Sequence, residues 1–579
     1  MPRAYKKSKK SKKNPIKVAM VEAVPSVSLA RLKEMRKKVN WDIESERGEL
    51  LDQLYPLFND WEGQLPNLGE IFKTEEIDWL LTEDIKKSVY PDFKVPIIEF
   101  VARTGYKDEA VLDKDGKPIL CRTTPLHNRS KSKCYHWDRS VRELFKIYKL
   151  DVNYTDESGF SHFHAACEAG CADIVQQFLE LGQDPNFLVE KTGDSPLKLA
   201  LENKNEDVIK LLLKSGADPN LANEDGSTPL HVVSESNHNA FLVEWLYELS
   251  NDKYHPVQID AQDKWGQTPL HTAVHWDASF IAVILLRNGA DPSLPDHNGL
   301  TVLHMICKRD DEDGLMERLF EICEEFDRPM QVDVVDKQGR TPLQLAVASI
   351  LPGAVEFLLD NGADLSEFVF PTDDYFAEVI DSFQFKMMVQ YKLRYRLKLA
   401  SGILLIIEHL EDNGYELERS DVLTIVKFFD KYGLFEKPAD LRDSSTKFDE
   451  WFKVEAEDLV VTEDLSLYDV TQLRPEEAEE SLSYSDFFEL SRLNDYETAR
   501  SSYSHACTAR LCEIMARGFF RHWALDPFIE LTSNRLPILC SEKIINQLMN
   551  EDLCHIILAA AGLKCTATND STFTTYDSD

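Results

Sequence analysis

Six glycines, Gly159, Gly193, Gly226, Gly266, Gly299 and Gly339, stand 34, 33, 40, 33 and 40 residues apart. Each opens a version of one phrase, Gly-x-Thr-Pro-Leu-His, with Gly226-Ser-Thr-Pro-Leu-His231 and Gly266-Gln-Thr-Pro-Leu-His271 the clearest copies. Self-similarity at such a period constrains the fold more than any other feature. One unit of that length cannot bury its own apolar face, so successive copies have to stack. The phrase also spells out its local structure. Gly permits a turn with positive φ, Thr accepts a backbone N–H at a helix start, Pro occupies the first helical turn, and Leu enters the core. A second phrase follows half a period later, as in Val208-Ile-Lys-Leu-Leu-Leu-Lys-Ser-Gly-Ala-Asp218. There Val208, Leu211 and Leu212 share a helical face and Gly216 occupies the place of a left-handed cap.

Motif, period and second phrase together resemble ankyrin repeats. The resemblance implies an all-α, ankyrin-repeat solenoid of helix pairs with β-hairpin tips, and a surface that binds a target protein rather than a catalyst. A degenerate first copy at Thr124-Pro-Leu-His127 brings the expected array to about seven repeats over residues 117–366. Two units are longer by about seven residues; the extra length is expected in loops around Asn251–Pro256 and Arg309–Pro329.

The flanks read differently. Residues 1–17 form a basic tail with eight Lys or Arg and no acid, on a chain of 579 residues whose net charge is −36. That acidity argues against nucleic-acid binding by the body and against an anionic membrane surface. The run Lys6–Lys13 reads either as a solvated tail or as a nuclear address on an otherwise cytoplasmic protein. Residues 18–116 are expected to be helical, with Leu50, Leu51, Leu54 and Leu57, then Ile77, Leu80, Leu81 and Ile85, at helical spacing, and to cap the first repeat. Eleven scattered cysteines without a Cys-x-x-Cys pair point to free thiols. The longest apolar run, Gly402-Ile-Leu-Leu-Ile-Ile407, is too short to span a membrane.

Beyond the repeats, residues 367–464 read as a helical linker with an acidic connection, 465–563 as a last helical domain, and 564–579 as a polar tail. The last domain contains Leu536-Pro-Ile-Leu-Cys-Ser-Glu-Lys-Ile-Ile-Asn-Gln-Leu-Met-Asn-Glu-Asp-Leu553. Its Leu-Pro, Ile-Ile, Leu and Asp-Leu groups resemble the start of an F-box in spacing, with Leu539 in place of the usual Glu and Cys540 in place of an aliphatic residue. Pro537 is expected to open a helix with Ile544, Ile545 and Leu548 on one face, and Asp552 to cap the next helix ahead of Leu553. An F-box-like end after ankyrin repeats is the arrangement of the PRANC family of poxvirus and insect ankyrin proteins. The phrases Arg517-Gly-Phe-Phe-Arg-His-Trp-Ala-Leu525 and Leu473-Arg-Pro-Glu-Glu-Ala478 are similar to those proteins as well. The resemblance implies docking on the Skp-type linker of a cullin–RING ubiquitin ligase through Leu536, Pro537, Ile544, Ile545, Leu548, Asp552 and Leu553. A plain amphipathic helix packed inside a C-terminal bundle needs the same apolar stripe.

Candidate target-binding residues are the tips just before each glycine: Glu157, Lys191, Glu224, Asp225, Lys264, Trp265, His297, Asn298 and Lys337. They vary while the scaffold repeats. Trp265 reads either as an interface anchor or as a cover for a neighbouring hairpin. His162, His164, Cys167 and Cys171 crowd into ten residues, but His164 holds the repeat's own histidine position, so no metal and no cofactor is expected. No P-loop, His-Glu-x-x-His, Gly-x-Ser-x-Gly or Gly-x-Gly-x-x-Gly occurs, and no enzyme activity is expected. The function so read is a substrate receptor for a ubiquitin ligase; the alternative is an ankyrin scaffold or sequestering inhibitor with no ligase link.

Overall fold

The computed structural model describes residues 27–87, 96–128, 137–249, 256–309, 314–328, 330–384, 392–435, 450–462, 464–492 and 501–563. The Lys6–Lys13 run, the 564–579 tail and most of the expected Asn251–Pro256 loop lie outside these residues. The chain forms two compact units, one of residues 1–232 with 244–257, the other of 233–243 with 258–579.

The first unit begins with helices Val27–Lys38, Glu44–Asn59, Thr74–Lys87 and Pro96–Arg103. Leu50, Leu51, Leu54 and Leu57 of the second and Ile77, Leu80, Leu81 and Ile85 of the third are all buried, the faces their spacing selects. Asp84 accepts the N–H groups of Ile97 and Ile98 at 3.1 and 3.0 Å, closing the start of the Pro96–Arg103 helix. Arg122 then ties these helices to the first repeat. It forms ion pairs with Asp78 and Asp108, and Tyr148 and Tyr154 donate to the same two carboxylates. Two carboxylates, one guanidinium and two phenols satisfy one another, so the charges are removed from water without orphaned groups.

Helix pairs follow. In the first unit they are His162–Glu168 with Ala172–Glu180 and Pro196–Glu202 with Glu206–Lys214. The degenerate copy contributes only the 3₁₀ turn Pro125–His127 before Trp137–Leu144. The pair Pro229–Val233 and Ala240–Glu248 falls across the division between the units. The second unit holds Pro269–His275 with Ser279–Arg287, Val302–Ile306 with Leu315–Glu325, and Pro342–Ala348 with Pro352–Asp360.

One expectation needs correction. The stretch Arg309–Pro329 is no inserted loop between repeats, because it contains that repeat's second helix, Leu315–Glu325. The hairpin tips are short: Asp263 N–H donates to Gln267 O and Asp296 N–H to Leu300 O, both at 2.9 Å, and among the described residues isolated bridges form rather than strands. Each turn is closed locally instead, so a longer ladder is not needed to satisfy its backbone.

After the last repeat the second unit continues as a helical bundle. Lys392–Asp412 packs against Pro352–Asp360 on one side and against Tyr484–Arg492 and Ser501–Leu531 on the other. Gly402 makes this possible: a β-carbon there would stand 2.5 Å from Ile350 Cγ2 and 3.2 Å from the ring of Phe488. The apolar run around Gly402 is thus a buried helix. No described helix is long and apolar enough to cross a membrane.

Candidate functional site

The repeat tips are built by a residue the phrase itself does not include. Three positions before five of the six glycines stands Asp156, Asn223, Asp263, Asp296 or Asp336, whose Oδ1 accepts the N–H groups two and four residues on, while Glu190 stands before Gly193. In the Asp263 turn these bonds come from Trp265 at 2.9 Å and Gln267 at 2.8 Å. This is the Asx geometry that short side-chain carboxylates and amides favour. For Asp156 and Asp336, burial pushes the carboxyl up, yet the hydrogen bonds from Ser158 and Phe160, or from Arg340 and Gln338, hold it below the usual range. The Asp/Asn-x-x-Gly spacing marks these five turns in the sequence.

Within each unit, successive tips are bonded to one another. The carbonyl of Ser158 accepts from Lys191 N–H and that of Thr192 from Glu224 N–H, both at 3.0 Å. In the second unit Trp265 O accepts from His297 N–H at 2.8 Å and Asn298 O from Lys337 N–H at 2.9 Å. The glycine that follows has no room for a side chain: at Gly266, with φ +79°, a β-carbon would lie 2.7 Å from His297 N. Glu157, Lys191, Glu224, Lys264, His297, Asn298 and Lys337 are exposed and Asp225 is half-buried. Trp265 is 53% exposed, with the Lys264 ammonium 4.3 Å from its ring centroid. Trp276, at the end of the first helix of the same repeat, and Phe280, in the first turn of its second helix, are exposed and were not anticipated from the sequence.

The repeat histidines are structural. His271 takes the N–H of Thr268 on Nδ1 at 3.2 Å and donates from Nε2 to Leu300 O of the following repeat at 3.1 Å. His304 does the same between Thr301 and Arg340, and His127 between Thr124 and Tyr154. Those bonds require the neutral ring protonated on Nε2. Burial is the largest influence and pushes all three below the ordinary histidine value. His164 is spent in the same way, between Ser161 and Phe187, whereas His162 meets Thr124 Oγ1 through Nε2 at 2.7 Å and its buried Nδ1 has no hydrogen-bond partner among the described residues. Burial raises the Cys167 thiol and takes that of Cys171 up to about 12, so neither supplies a thiolate. Among the described residues no group of three or more His, Cys, Asp or Glu is placed to hold a metal ion.

In the C-terminal part of the second unit, Pro537 precedes helix Ile538–Ile545, and Asn550–Ala560 follows. The first helix stops sooner than its stripe predicts. Arg517, buried in the Ser501–Leu531 helix, donates to the carbonyls of Ile545 and Asn546 at 3.4 and 3.2 Å and to Asn550 Oδ1 at 3.3 Å. Glu513 in turn accepts Asn550 N–H at 2.9 Å. Leu548 consequently sits in the following turn, half-buried, off the helix carrying Ile544 and Ile545. Asp552 lies inside the first turn of its helix and accepts Met549 N–H at 3.2 Å, so it is not the cap residue. Ile545 and Leu553 are buried within the unit, whereas Leu536, Ile538, Leu539 and Ile544 are 36, 56, 68 and 38% exposed, and Pro537 is exposed with them. The two phrases upstream meet: Arg521 pairs with Glu476 at 3.5 Å, and Gly518 lies against Glu479 of the same Pro475–Ser481 helix, where a β-carbon would come within 3.1 Å of the carboxylate.

These repeats are ankyrin repeats. The family description "Ankyrin repeats (3 copies)" matches residues 133–223, 197–296 and 279–368. The mouse B-cell lymphoma 3 protein homolog is 31% identical over 144 residues, 24% of this chain and 30% of that protein. Human NF-kappa-B inhibitor alpha is 31% identical over 146 residues, 25% of this chain and 44% of the relative. The E3 ubiquitin-protein ligase KEG of Arabidopsis thaliana is 30% identical over 170 residues, 29% of this chain and 10% of its own length. The chain therefore spans less than half the length of each of these relatives.

Proposed function

We propose that the chain is a non-catalytic substrate receptor: the ankyrin repeats hold a target protein, and the Leu536–Leu553 segment docks on the Skp-type linker of a cullin–RING ubiquitin ligase. The observation that carries the reading is the apolar edge Leu536, Ile538, Leu539 and Ile544, left in water while Ile545 and Leu553 anchor the same segment inside its unit. A clustered apolar edge on an otherwise folded surface marks an association site. Docking at one end and capture at the other raise the effective concentration of target at the ligase, which needs no chemistry from this chain. The refined docking set is Leu536, Pro537, Ile538, Leu539 and Ile544. The reading places the protein in the cytoplasm, or in the nucleus if Lys6–Lys13 acts as an address.

The test is co-purification of the full chain with the Skp-type linker. The wild type retains the linker; a variant carrying Ile538→Asp and Leu539→Asp loses it while its thermal transition is unchanged, since both side chains are exposed. A wild type that fails to retain the linker removes the ligase role. The alternative, a sequestering inhibitor, draws support from the likeness of the repeats to NF-kappa-B inhibitor alpha. It requires target binding that survives deletion of residues 536–563.

A further inference from the structure

The degenerate first copy carries a longer hairpin, residues 111–120. Asp113 Oδ1 accepts the N–H groups of Asp115 at 2.8 Å and Lys117 at 2.9 Å, the same turn that opens the later copies. In those copies the glycine stands two residues before the Ser or Thr that starts the helix, whereas Gly116 stands eight before Thr124, and the added residues form an arm. That arm is bonded on both sides. Ile119 N–H donates to Val111 O, Thr155 N–H to Leu120 O and Arg122 N–H to Thr155 O, all at 2.9 Å. The arm before the turn is bonded on one side only. Asp113 N–H donates to Lys117 O at 2.8 Å, and this bond with the one to Val111 O turns the N–H and C=O of Leu112 away from the hairpin. Among the described residues neither group has a partner. Val111, Leu112, Ile119 and Leu120 are 45 to 61% exposed. An open edge beside four uncovered apolar side chains is a template for a further strand.

We propose that residues 16–24 of the same chain, which lie outside the described residues, add to this edge as a strand. Ile16-Lys-Val-Ala-Met-Val-Glu-Ala-Val24 lies between Pro15 and Pro25, holds no Gly or Pro, and is rich in the β-branched residues that strands favour. It belongs to the same unit as the hairpin, and it is within reach. Arg36 pairs with Glu76 and Arg122 with Asp78, so the Val27–Lys38 helix and the hairpin both fasten to the start of the Thr74–Lys87 helix. The helix carries the chain about 14 Å back from Arg36 to Val27, and the stretch from Ile16 to Val27 extends up to about 36 Å. A second copy of the hairpin fits the edge less well. Antiparallel self-pairing centred on Leu112 sets Glu109 opposite Asp115, and like charges facing across strands are unfavourable. Strand addition in the same molecule gives the Leu112 backbone its partners and covers an edge that otherwise invites pairing with other chains. It also holds the basic run Lys6–Lys13 beside the first repeat, and it is independent of the ligase reading.

The experiment uses the full chain with p-benzoylphenylalanine in place of Leu112, irradiated and mapped by mass spectrometry. Crosslinks are expected within one molecule, onto residues 16–24. In parallel, hydrogen exchange over residues 109–114 is followed in the wild type and in a full-chain variant with Val18→Pro and Val21→Pro. These two positions have opposite parity, so one proline removes a ladder donor whichever face of the strand meets the hairpin. The variant is expected to exchange at least tenfold faster over 109–114, with residues 162–214 unchanged. Crosslinks that join two copies, crosslinks to other parts of the chain, no crosslinks, or equal exchange in the two proteins overturns the proposal.

Discussion

Gln344 returns its Oε1 to the N–H of Thr341 at 3.0 Å and donates from Nε2 to Val369 O at 3.1 Å. In the last repeat it thereby performs the task that His271 and His304 perform in the two before it. The position asks for one acceptor facing back and one donor facing forward, at a fixed distance, and a neutral imidazole or an amide meets that demand equally.

Substitution should therefore discriminate shape from charge. His271→Gln is expected to change stability by less than about 1 kcal/mol, while His271→Ala leaves the Thr268 N–H and the Leu300 carbonyl unpaired and costs about 1–3 kcal/mol. Urea midpoints of the two variants against wild type measure the difference; an Ala variant as stable as the Gln variant contradicts the bridging role.

The same histidines make stability depend on pH. His127, His271 and His304 are held below their ordinary value of 6.5 by burial, so the unfolded chain binds protons that the folded chain does not. Stability is thus present above pH 6.5 and is lost as pH falls below it, with a limiting slope of about 1.4 kcal/mol per pH unit for each histidine. Asp84 acts in the opposite sense: burial lifts it to about 7, so its contribution weakens as pH rises towards 7. The clean measurement is the difference between wild type and the His127→Gln, His271→Gln, His304→Gln variant, followed from pH 7.5 to 5. That difference should shrink in the wild type's disfavour as pH falls; a constant difference refutes the linkage.

Two glycines with positive φ should respond unequally to alanine. Gly216 at φ +92° faces open space, so Gly216→Ala carries only backbone strain of about 1–2 kcal/mol. Gly266 at φ +79° faces His297 N at 2.7 Å, and Gly266→Ala adds an overpacking cost of about 1–3 kcal/mol to that strain. Denaturation midpoints rank the two; equal losses argue against the close approach of successive tips.

Arg517→Met removes the donor that ends the Ile538–Ile545 helix and leaves Glu513 buried without its cation. Breaking such a pair costs about 3–5 kcal/mol, concentrated here where Asn546 to Asn550 turn between helices. Amide exchange should accelerate over residues 538–553 while the repeats 266–360 keep their protection. Uniform acceleration through the unit indicates a general loss of fold instead.

The repeats were legible because their information is local. Thr268, Pro269 and Leu270 each act within a turn or a helix of their own unit, so the phrase carries the geometry with it. The helix faces at Leu50–Leu57 and Ile77–Ile85 were legible for the same reason. Exposure at the C-terminal end was not. Ile544 and Ile545 are adjacent and chemically alike, and only the packing against the Ser501–Leu531 helix sends one inside and leaves the other in water.

The chain order alone determined a stack of paired helices with exposed variable turns, because period, caps and left-handed glycines are properties of neighbouring residues. Tertiary structure decided where the Ile538–Ile545 helix ends, through Arg517 more than twenty residues upstream, and which apolar side chains stay uncovered. It also decided that Asp263 and Asp296 serve their turns and that Asp277 and Asp336 pair with Arg309 and Arg340. Hydrogen-bond and ion-pair partners far apart in the chain are chosen by packing, and residue type does not reveal which of them is used up.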